Sequence, residues 1–311
     1  MFGESLFYQN SKFNNLVIFI VNINLEGVGL MGFLKKLFGF GKKEEEKADD
    51  EIIDETTQTR NFKYLDDLIH SGVDEIILDI DIILSTGFLS KEESKYQKGI
   101  MLDVDDLVID GNGHTIDAKG KTRIFCCTGK NITIKNIILK NGFAEKYDGG
   151  GAVYNDGGEL TITGSTLNKN AGWYGGAVYN RKGGELTITD SILNENTAEY
   201  SGGAINNNKA RLIITDSTLN KNTAKEGGSI QNYECKLIIV DSTLTGNTAQ
   251  WHGGSIHNNG GELTITDSTF NENTAEYSGG AIYLTKHSKR YESNNCTFKD
   301  NKPDEVYEEE G

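Results

Sequence analysis

Apolar and polar residues alternate along most of the chain in short runs. The run ELTIT, at residues 159–163, 185–189 and 262–266, places leucine and isoleucine on one face and threonine on the other. Such a period of two residues is typical of a β-strand with one buried face. A second β-prone run is GGAVYN, at residues 150–155 and 175–180, and no unit leaves room for a helix of about ten residues. The pattern therefore predicts an all-β fold.

These runs repeat with one period. The second glycine of each glycine pair lies at Gly151, Gly176, Gly203, Gly228, Gly254 and Gly280. The asparagine that closes each LNKN-like run lies at Asn170, Asn196, Asn222, Asn247 and Asn273. Successive markers are 25 to 27 residues apart, a spacing that indicates a solenoid, and six clear repeats begin at about residue 149.

The repeat length decides which solenoid is predicted. At ~3.3 Å per residue, about 26 residues form a coil of two or three short strands with corners between them. Stacked coils pair each strand with its copy above and below at about 4.8 Å, which gives a parallel β-helix. We interpret the repeated glycines and asparagines as structural corner residues, because both types accept a positive φ. A phosphate-binding loop is not favoured, since no lysine–serine pair and no helix follows the glycines.

A short helix is predicted ahead of the repeats. Residues 61–72 carry apolar side chains at helical spacing. Asn61 precedes them as an N-cap residue, and Gly72 follows them as a stop signal. The sequence thus predicts a helical cap near the N-terminal end of the β-helix.

Composition sets the predicted domain boundaries. Residues 1–60 include an acidic stretch without periodicity, and we expect a disordered leader and linker there. Met31 is an alternative first residue to Met1. The β-helix is expected over residues 61–305, followed by an acidic tail over residues 306–311.

The overall composition argues against several classes of partner. The 311 residues carry a formal net charge of −15, which disfavours nucleic acid or an anionic membrane as the main partner. No apolar run reaches the roughly 18 residues of a transmembrane helix. The best apolar run, LVIFIV at residues 16–21, is too short for a signal peptide, which favours a cytoplasmic location. The four cysteines form no CxxC pair, and we expect no cofactor.

Aromatic residues recur two positions before the glycine pairs. The series comprises Trp173, Tyr200, Lys225, Trp251 and Tyr277. Stacked coil on coil, these residues would form a strip of rings interrupted by one cation. Carbohydrate-binding surfaces use such strips because apolar sugar faces stack on rings; alternatively, the rings stack on one another and shield the corner. The four aromatic residues are our candidate binding residues.

Aspartates form a second column, at Asp190, Asp216, Asp241 and Asp267. Clustered carboxylates can hold Ca²⁺, which makes calcium the one cofactor to consider. Each aspartate also opens a turn, in which an Asx side chain hydrogen-bonds nearby backbone. A calcium site and a turn role are therefore both open.

A third candidate is the acidic segment around His114. Asp105, Asp106, Asp110 and Asp117 would supply the paired carboxylates of a glycosidase. Asp105 and Asp106 are adjacent, however, so that they face opposite sides of a strand. We assign no catalytic residue and interpret the segment as the edge of an early coil.

The repeat motifs resemble those of known families. GGA followed by valine or isoleucine occurs at residues 150–153, 175–178, 202–205 and 279–282, and FxxN occurs at Phe270–Asn273 and Phe298–Asn301. This combination resembles the repeat of the chlamydial polymorphic outer membrane proteins and of adhesin-like β-helix proteins of methanogenic archaea. Residues 109–118 and 129–142 resemble early coils of pectate-lyase-like folds. The resemblance covers roughly residues 62–301 and implies a right-handed parallel β-helix.

The resemblance also implies a function and a location. It favours a non-enzymatic surface or adhesin-like repeat protein that presents an extended β-helix face to a glycan or a cell-surface protein. The alternative is a polysaccharide lyase or glycoside hydrolase of the pectate-lyase-like fold. The implied location is extracellular, at the cell surface, whereas the short apolar run near the N-terminus favours the cytoplasm. Nothing in the sequence indicates an oligomeric state.

Overall fold

The described part of the computed structural model comprises residues 59–84 and 93–311, together with an antiparallel pair of short strands, Ser5–Leu6 and Ile20–Val21. The chain divides into two compact units, Met1–Asp54 and Glu55–Gly311. Most of the predicted leader and linker, with Met31, lies outside the described residues.

The second unit is a parallel β-helix with about 26 residues per coil, which confirms the predicted fold. Its strands stack into four sheets, in which neighbouring strands are parallel. We number the sheets in the order in which one coil visits them. The chain passes from sheet 1 through sheets 2, 3 and 4 and then enters sheet 1 of the next coil. Leu160 of sheet 2, for example, pairs with Leu186 one coil later.

The strands of the four sheets are as follows. Sheet 1 contains Ile100–Leu102, Phe125–Cys127, Val153–Asp156, Val178–Arg181, Ile205–Asn208, Ile230–Tyr233, Ile256–Asn259, Ile282–Leu284 and Val306–Glu308. Sheet 2 contains Glu75–Ile77, Val108–Asp110, Ile132–Lys135, Glu159–Thr163, Glu185–Thr189, Arg211–Thr215, Lys236–Val240, Glu262–Thr266 and Arg290–Asn294. Sheet 3 contains Thr59–Arg60, Asp81–Ile83, Thr115–Asp117, Ile138–Lys140, Thr166–Asn168, Ile192–Asn194, Thr218–Asn220, Thr243–Thr245, Thr269–Asn271 and Thr297–Lys299. Sheet 4 contains Ala171–Tyr174, Thr197–Ser201, Thr223–Glu226, Thr248–His252 and Thr274–Ala275.

An α-helix, α1 (Phe62–Ile69), packs at the N-terminal end of the β-helix, which confirms the predicted helical cap. The side chain of Asn61 accepts a hydrogen bond from the backbone N–H of Tyr64, so Asn61 is the N-cap. The apolar face of α1 is buried in the core, whereas its polar face is exposed. A 3₁₀ helix, Glu93–Lys98, precedes the first strand of sheet 1. Paired strands extend to Thr59–Arg60 and to Val306–Glu308, on either side of the expected range 61–305.

The core consists of ladders of identical or similar apolar side chains. Leu160 and Ile162 point inwards from sheet 2 and pair in register with Leu186 and Ile188 of the next coil. All four side chains are at most 3% exposed. A single coil buries only part of the surface of its inward apolar side chains, and the coils on either side bury the rest. Stability therefore depends on contacts between adjacent coils.

A ladder of buried asparagines runs along the corner between sheets 3 and 4. Its members are Asn170, Asn196, Asn222, Asn247, Asn273 and Asn301. Nδ2 of Asn222 donates to Oδ1 of Asn247 at 3.0 Å and to the carbonyl of Leu193 at 3.0 Å. Its Oδ1 accepts from Nδ2 of Asn196 at 3.1 Å and from the backbone N–H of Asn196 at 3.0 Å. The donor and acceptor groups of the buried amide thus all have hydrogen-bond partners, as buried polar groups require.

A second asparagine ladder lies inside sheet 1, and the sequence reasoning missed it. Its members are Asn155, Asn180, Asn207, Asn232 and Asn258, each 0% exposed. Nδ2 of each member donates to Oδ1 of the next at 2.7–2.9 Å. The signal was available, because each asparagine occupies an inward position of an alternating run. Two polar ladders therefore fix the stacking register of the coils at separate places.

The two glycines of each pair meet different requirements. The first glycine has a positive φ in every pair, from +57° at Gly175 to +69° at Gly202. The second glycine has no such φ, but a Cβ there would overlap backbone of the next coil. At Gly228, for example, it would meet the carbonyl oxygen of Gly254. The first glycine thus has both a conformational and a steric need, since a Cβ at Gly175 would overlap the carbonyl oxygen of Val178, whereas the second has a steric need alone.

We expect Asn222→Ala to lower the free energy of unfolding by about 2–4 kcal/mol, because the substitution leaves the backbone N–H of Asn196 and the carbonyl of Leu193 buried without these partners. Asn220→Ala, at a half-buried outward position of the same coil, is the matched control and should change it by about 0.5 kcal/mol or less. Chemical denaturation checks both values. Equal losses in the two variants would contradict a structural role of the ladder.

We expect Gly228→Ala to lower the free energy of unfolding by about 3 kcal/mol or more, because the added methyl group overlaps backbone atoms that cannot rotate away. Gly183→Ala isolates the conformational effect, since Gly183 has φ +76° but open space around the added Cβ. We expect about 1 kcal/mol for Gly183→Ala. Thermal unfolding of both variants tests the difference, and a milder effect at Gly228 than at Gly183 would refute the steric explanation.

Candidate functional site

The predicted aromatic series lies along one edge of the coils. Trp173, Tyr200, Lys225 and Trp251 belong to four successive strands of sheet 4, and Tyr277 follows the fifth. Parallel pairing brings the five side chains to the same edge of successive coils, although the register of the strands shifts at Trp173, Tyr200 and Lys225. Trp173, Tyr200 and Trp251 are half-buried, whereas Tyr277 is 59% exposed. The column is therefore a partly covered surface with an open C-terminal end.

Two rings of this column contact each other. The Tyr200 and Trp251 rings meet edge to face at 6.1 Å between centroids and span the coil that carries Lys225. Nζ of Lys225 lies 5.6 Å from the Trp251 centroid, within cation–π range. At the other end, Tyr147 contacts Trp173 at 4.9 Å and is 71% exposed. Self-stacking and exposure to solvent thus occur in the same column.

A second aromatic column comes from sheet 1, and the sequence reasoning missed it. Outward positions of successive sheet 1 strands carry Tyr154 and Tyr179, and later Tyr283 and Tyr307. Tyr283 and Tyr307 stack nearly parallel, with centroids 5.3 Å apart and an interplanar angle of 8°. The signal in the sequence was the tyrosine that recurs three residues after the second glycine of a pair. The glycine corner folds this column against the one from sheet 4.

Ring contacts join the two columns. Tyr174 lies 5.7 Å from Tyr179 and 5.9 Å from Tyr200, and His252 lies 4.4 Å from Tyr283. We call the combined surface the aromatic strip. It comprises Tyr147, Tyr154, Trp173, Tyr174, Tyr179, Tyr200, Trp251, Tyr277, Tyr283 and Tyr307. The strip extends along the helix axis over the coils between Tyr147 and Tyr307.

An arginine fixes the N-terminal end of the aromatic strip. Arg123 has a side chain that is 4% exposed; it donates to the carbonyls of Gly149 and Gly150 and pairs with Asp148 at 2.7 Å. Its guanidinium lies 4.6 Å from the Tyr154 centroid. Burial raises the pKa of Tyr154 to about 12, so its hydroxyl stays protonated at neutral pH. The ring of Tyr154 is thus held as a neutral hydrogen-bonding group.

The middle of the aromatic strip contains hydrogen-bonding side chains in place of rings. We call the group Glu226, Gln231, His252 and His257 the polar slot. Nδ1 of His257 lies 2.8 Å from Oε1 of Gln231 and 3.5 Å from Oε2 of Glu226. The imidazole rings of His252 and His257 are 6.5 Å apart between centroids. Sheet 4 supplies Glu226 and His252, and sheet 1 supplies Gln231 and His257.

Burial and the charge of Glu226 shift the pKa values of groups around the polar slot. Burial, reinforced by the neighbouring His257, lowers the pKa of His252 below its ordinary value. The charge of Glu226, followed by burial, raises the pKa of Tyr200. His252 is therefore neutral at pH 7, and its imidazole can both donate and accept a hydrogen bond.

The predicted aspartate column occupies an exposed turn between sheets 2 and 3. Asp190, Asp216, Asp241 and Asp267 have φ angles of 47° to 50°. The same position in other coils holds Asn136, Gly164 and Asn295, also at positive φ. Aspartate, asparagine and glycine are the residues that tolerate this conformation, which accounts for the column without a ligand. Within residues 59–84 and 93–311, no group of three or more acidic, histidine or cysteine side chains is suited to a metal ion.

The acidic segment around His114 is engaged in local hydrogen bonds. His114 lies 3.2 Å from Asp81 of the previous coil. Asp110 accepts from the backbone N–H of Asn112, and Asp117 accepts from that of Lys119. Burial disfavours the charge of Asp117, but hydrogen bonds, foremost from Asn141, hold its pKa below the ordinary value. These carboxylates each stabilise a turn rather than converge on one point.

Comparison with known proteins identifies the repeat. Residues 267–285 match the Chlamydia polymorphic membrane protein repeat. The matched segment contains both FxxN, at Phe270–Asn273, and GGAI, at residues 279–282. The resemblance predicted from these motifs is thereby confirmed. The comparison with curated proteins gave no match.

Solved structures resemble the β-helix. An alginate lyase from Paenibacillus sp. str. FPU-7 matches with a TM-score of 0.50 and 10% identity, over 82% of this chain and 98% of the lyase. L. reuteri 53608 SRRP matches with a TM-score of 0.47 and 14% identity, over 81% and 99% of the two chains. At 10% identity, the similarity to the lyase concerns the fold alone. In the part of the chain that the structure describes, no helix has the length and hydropathy needed to span a bilayer.

The lowered pKa of His252 leads to a prediction about pH. Because the pKa of His252 in the folded protein lies below the ordinary value of about 6.5, the folded protein binds fewer protons at this residue than the unfolded chain does. The stability that neutral His252 contributes is therefore present above pH ~6.5 and is lost as the pH falls below that value. His252→Gln should therefore lose less unfolding free energy than the wild type between pH 7.5 and 5.5, measured by chemical denaturation. His287→Gln, at an exposed histidine outside the aromatic strip, is the control. Identical pH curves for His252→Gln and the wild type would contradict the prediction.

Proposed function

We propose that this parallel β-helix protein with a polymorphic membrane protein repeat is a non-enzymatic surface protein that binds glycans along the aromatic strip. The observation that carries the proposal is the grouping of rings from sheets 1 and 4 along the glycine corner: Tyr174 contacts both Tyr179 and Tyr200, Tyr200 contacts Trp251, and a separate group forms around His252 and Tyr283. The repeat, whose family is named for membrane proteins, supports a location at the cell surface.

The composition of the aromatic strip suits a saccharide. Sugar rings have apolar faces that stack on aromatic rings and hydroxyl groups that need hydrogen-bond partners. Tyr147 and Tyr277 are mostly exposed and offer ring surface to solvent. The half-buried Trp173 and Trp251 contribute part of each ring, and their neighbours hold them in place. A ligand therefore meets a pre-organised surface, which lowers the entropic cost of binding.

A protein partner is the alternative occupant of the same surface. Tyrosine and tryptophan are enriched at protein interfaces as well as at sugar sites. The strip is narrow, however, because each coil contributes one or two rings, and a ribbon of rings matches a polymer chain better than a flat protein face. Binding of a purified cell-surface protein but of no glycan would favour the protein alternative and overturn the glycan proposal.

We expect Tyr277→Ala and Trp251→Ala to weaken binding by about tenfold each, because each removes one stacking surface. The assay is retention in native gels that contain one soluble polysaccharide of a panel, followed by calorimetry with the polymer that retains the wild type. Tyr233→Ala is the matched control, because Tyr233 is a half-buried tyrosine on sheet 1 that lies outside the aromatic strip, next to Lys209. Loss of retention in Tyr233→Ala alone would refute the assignment of the surface.

The non-enzymatic part of the proposal has its own test. Incubation with pectin, pectate and alginate should release neither unsaturated nor reducing ends, whereas release of either would favour the lyase or hydrolase alternative. Protease treatment of intact cells, with antibody detection, tests the location. A chain that stays protected until the cells are lysed would overturn the surface assignment.

A further inference from the structure

The polar slot departs from the pattern of its own columns. On sheet 1, the outward position that holds tyrosine at Tyr179 and Tyr283 holds Gln231 and His257 between them. On sheet 4, the residue directly before the glycine pair is Tyr174 or Ser201 in the earlier coils. It becomes Glu226 and then His252 in the coils of the polar slot. Both columns thus exchange apolar rings for hydrogen-bonding groups at one place along the strip.

The hydrogen-bond geometry leaves one nitrogen of His257 free. The side chain is 6% exposed, and Nδ1 faces the amide oxygen of Gln231 and the carboxylate of Glu226, both of which only accept. Nδ1 therefore carries the proton in the neutral ring, and Nε2 is left as an acceptor. Among the described residues, no side chain or backbone group forms a hydrogen bond with Nε2. Nε2 is not among the buried atoms that lack a partner, so this imidazole is oriented through Nδ1 and presents Nε2 to solvent as an acceptor.

Two polar atoms in and beside the polar slot, the second on the neighbour of Gln231 in sheet 1, are buried and lack partners in the described chain. Nδ1 of His252 and Oδ1 of Asn206 are buried and make no hydrogen bond. Nδ2 of Asn206 is fixed by a 2.8 Å bond to Oγ of Ser201, so that the orientation of its Oδ1 is set. Buried polar atoms without partners are destabilising, and each such atom calls for a ligand or another explanation.

The chemistry of the polar slot selects the class of ligand. The imidazole nitrogens of a neutral His252 can donate and accept, Asn206 Oδ1 accepts, and Glu226 accepts with a negative charge. A hydroxyl group both donates and accepts, so adjacent hydroxyls of a sugar match this mixture. A carboxylate or sulfate group does not, because Glu226 repels it and no lysine or arginine forms an ion pair with Glu226 in the described chain. The net charge of −15 acts in the same direction.

We infer that the polar slot binds the hydroxyl groups of a neutral saccharide and makes the aromatic strip selective against acidic glycans. This inference rests on the proposed glycan-binding function and adds the substrate class. The exposed ring of Tyr277 lies 5.6 Å from His252 and supplies stacking surface beside the hydrogen-bonding groups, whereas the buried ring of Tyr283 packs against His252 at 4.4 Å. Glu226 and His257 are the positions that determine specificity.

The test compares neutral and acidic oligosaccharides as probes. Calorimetry with a panel of neutral hexose oligomers and with oligogalacturonate and oligoalginate, at constant ionic strength, should give binding of at least one neutral oligomer by the wild type and at least tenfold weaker binding of the acidic ones. Glu226→Gln preserves shape and removes the charge, so it should reduce this discrimination about tenfold. His257→Phe keeps a ring but removes Nε2, and it should weaken binding of the neutral oligomer about tenfold.

Tyr233→Ala again serves as the control and should leave both affinities unchanged. A melting curve for each variant separates loss of binding from loss of folding, and a saturating neutral oligomer should raise the melting temperature of the wild type more than that of His257→Phe. If the wild type binds acidic oligomers as tightly as neutral ones, or if Glu226→Gln leaves their ratio unchanged, the inference is wrong while the proposed function stands. If no oligosaccharide or polysaccharide binds at all, the proposed glycan-binding function is itself wrong.

Discussion

In-register hydrogen bonding between successive coils is the constraint on which the rest of this structure depends. Each strand pairs with its copy one repeat away, and no coil can satisfy its backbone or bury its apolar face alone. The asparagine ladders extend this pairing to side chains, since one amide both accepts from the coil before it and donates to the coil after it. Because a slip of one residue would turn every inward side chain outwards, the two ladders and the apolar core enforce the same register.

The same constraint explains why glycine occurs in pairs at one corner. Parallel coils approach each other there so closely that a methyl group would overlap the carbonyl of the next coil, and the preceding residue must adopt a positive φ to turn the chain. The corner brings sheet 4 against sheet 1 and so places outward residues of both sheets side by side. The tight turn is structural, and the aromatic strip is its consequence. In a solenoid, residues at the same position of successive repeats therefore lie above one another and form a column on the surface.

The polar slot shows how side-chain chemistry varies along such a surface. Most positions of the repeat are constrained by packing, as the apolar ladders and the positive-φ turns show. The positions on the outer side of sheet 1 beside the glycine corner are packed against sheet 4 rather than into the apolar core, and there the residue type changes from coil to coil. Tyr179, Gln231 and His257 occupy equivalent places in different coils. Variation at such positions on a rigid scaffold is where a repeat protein can adapt to a ligand without loss of stability.

The sequence by itself determined the fold, the repeat length and the helical cap. Alternating runs at a fixed spacing of about 26 residues admit few arrangements other than stacked parallel strands, and Asn61 marked the start of α1. It also located one aromatic column, because Trp251 and its equivalents share one position in the repeat. Only the tertiary structure decided that Tyr283 and His252 are neighbours and that Glu226, Gln231 and His257 meet. These pairs join different positions of the repeat across a corner, and their distance depends on where each strand ends and on how sharply the glycine pair turns the chain, which residue spacing does not specify.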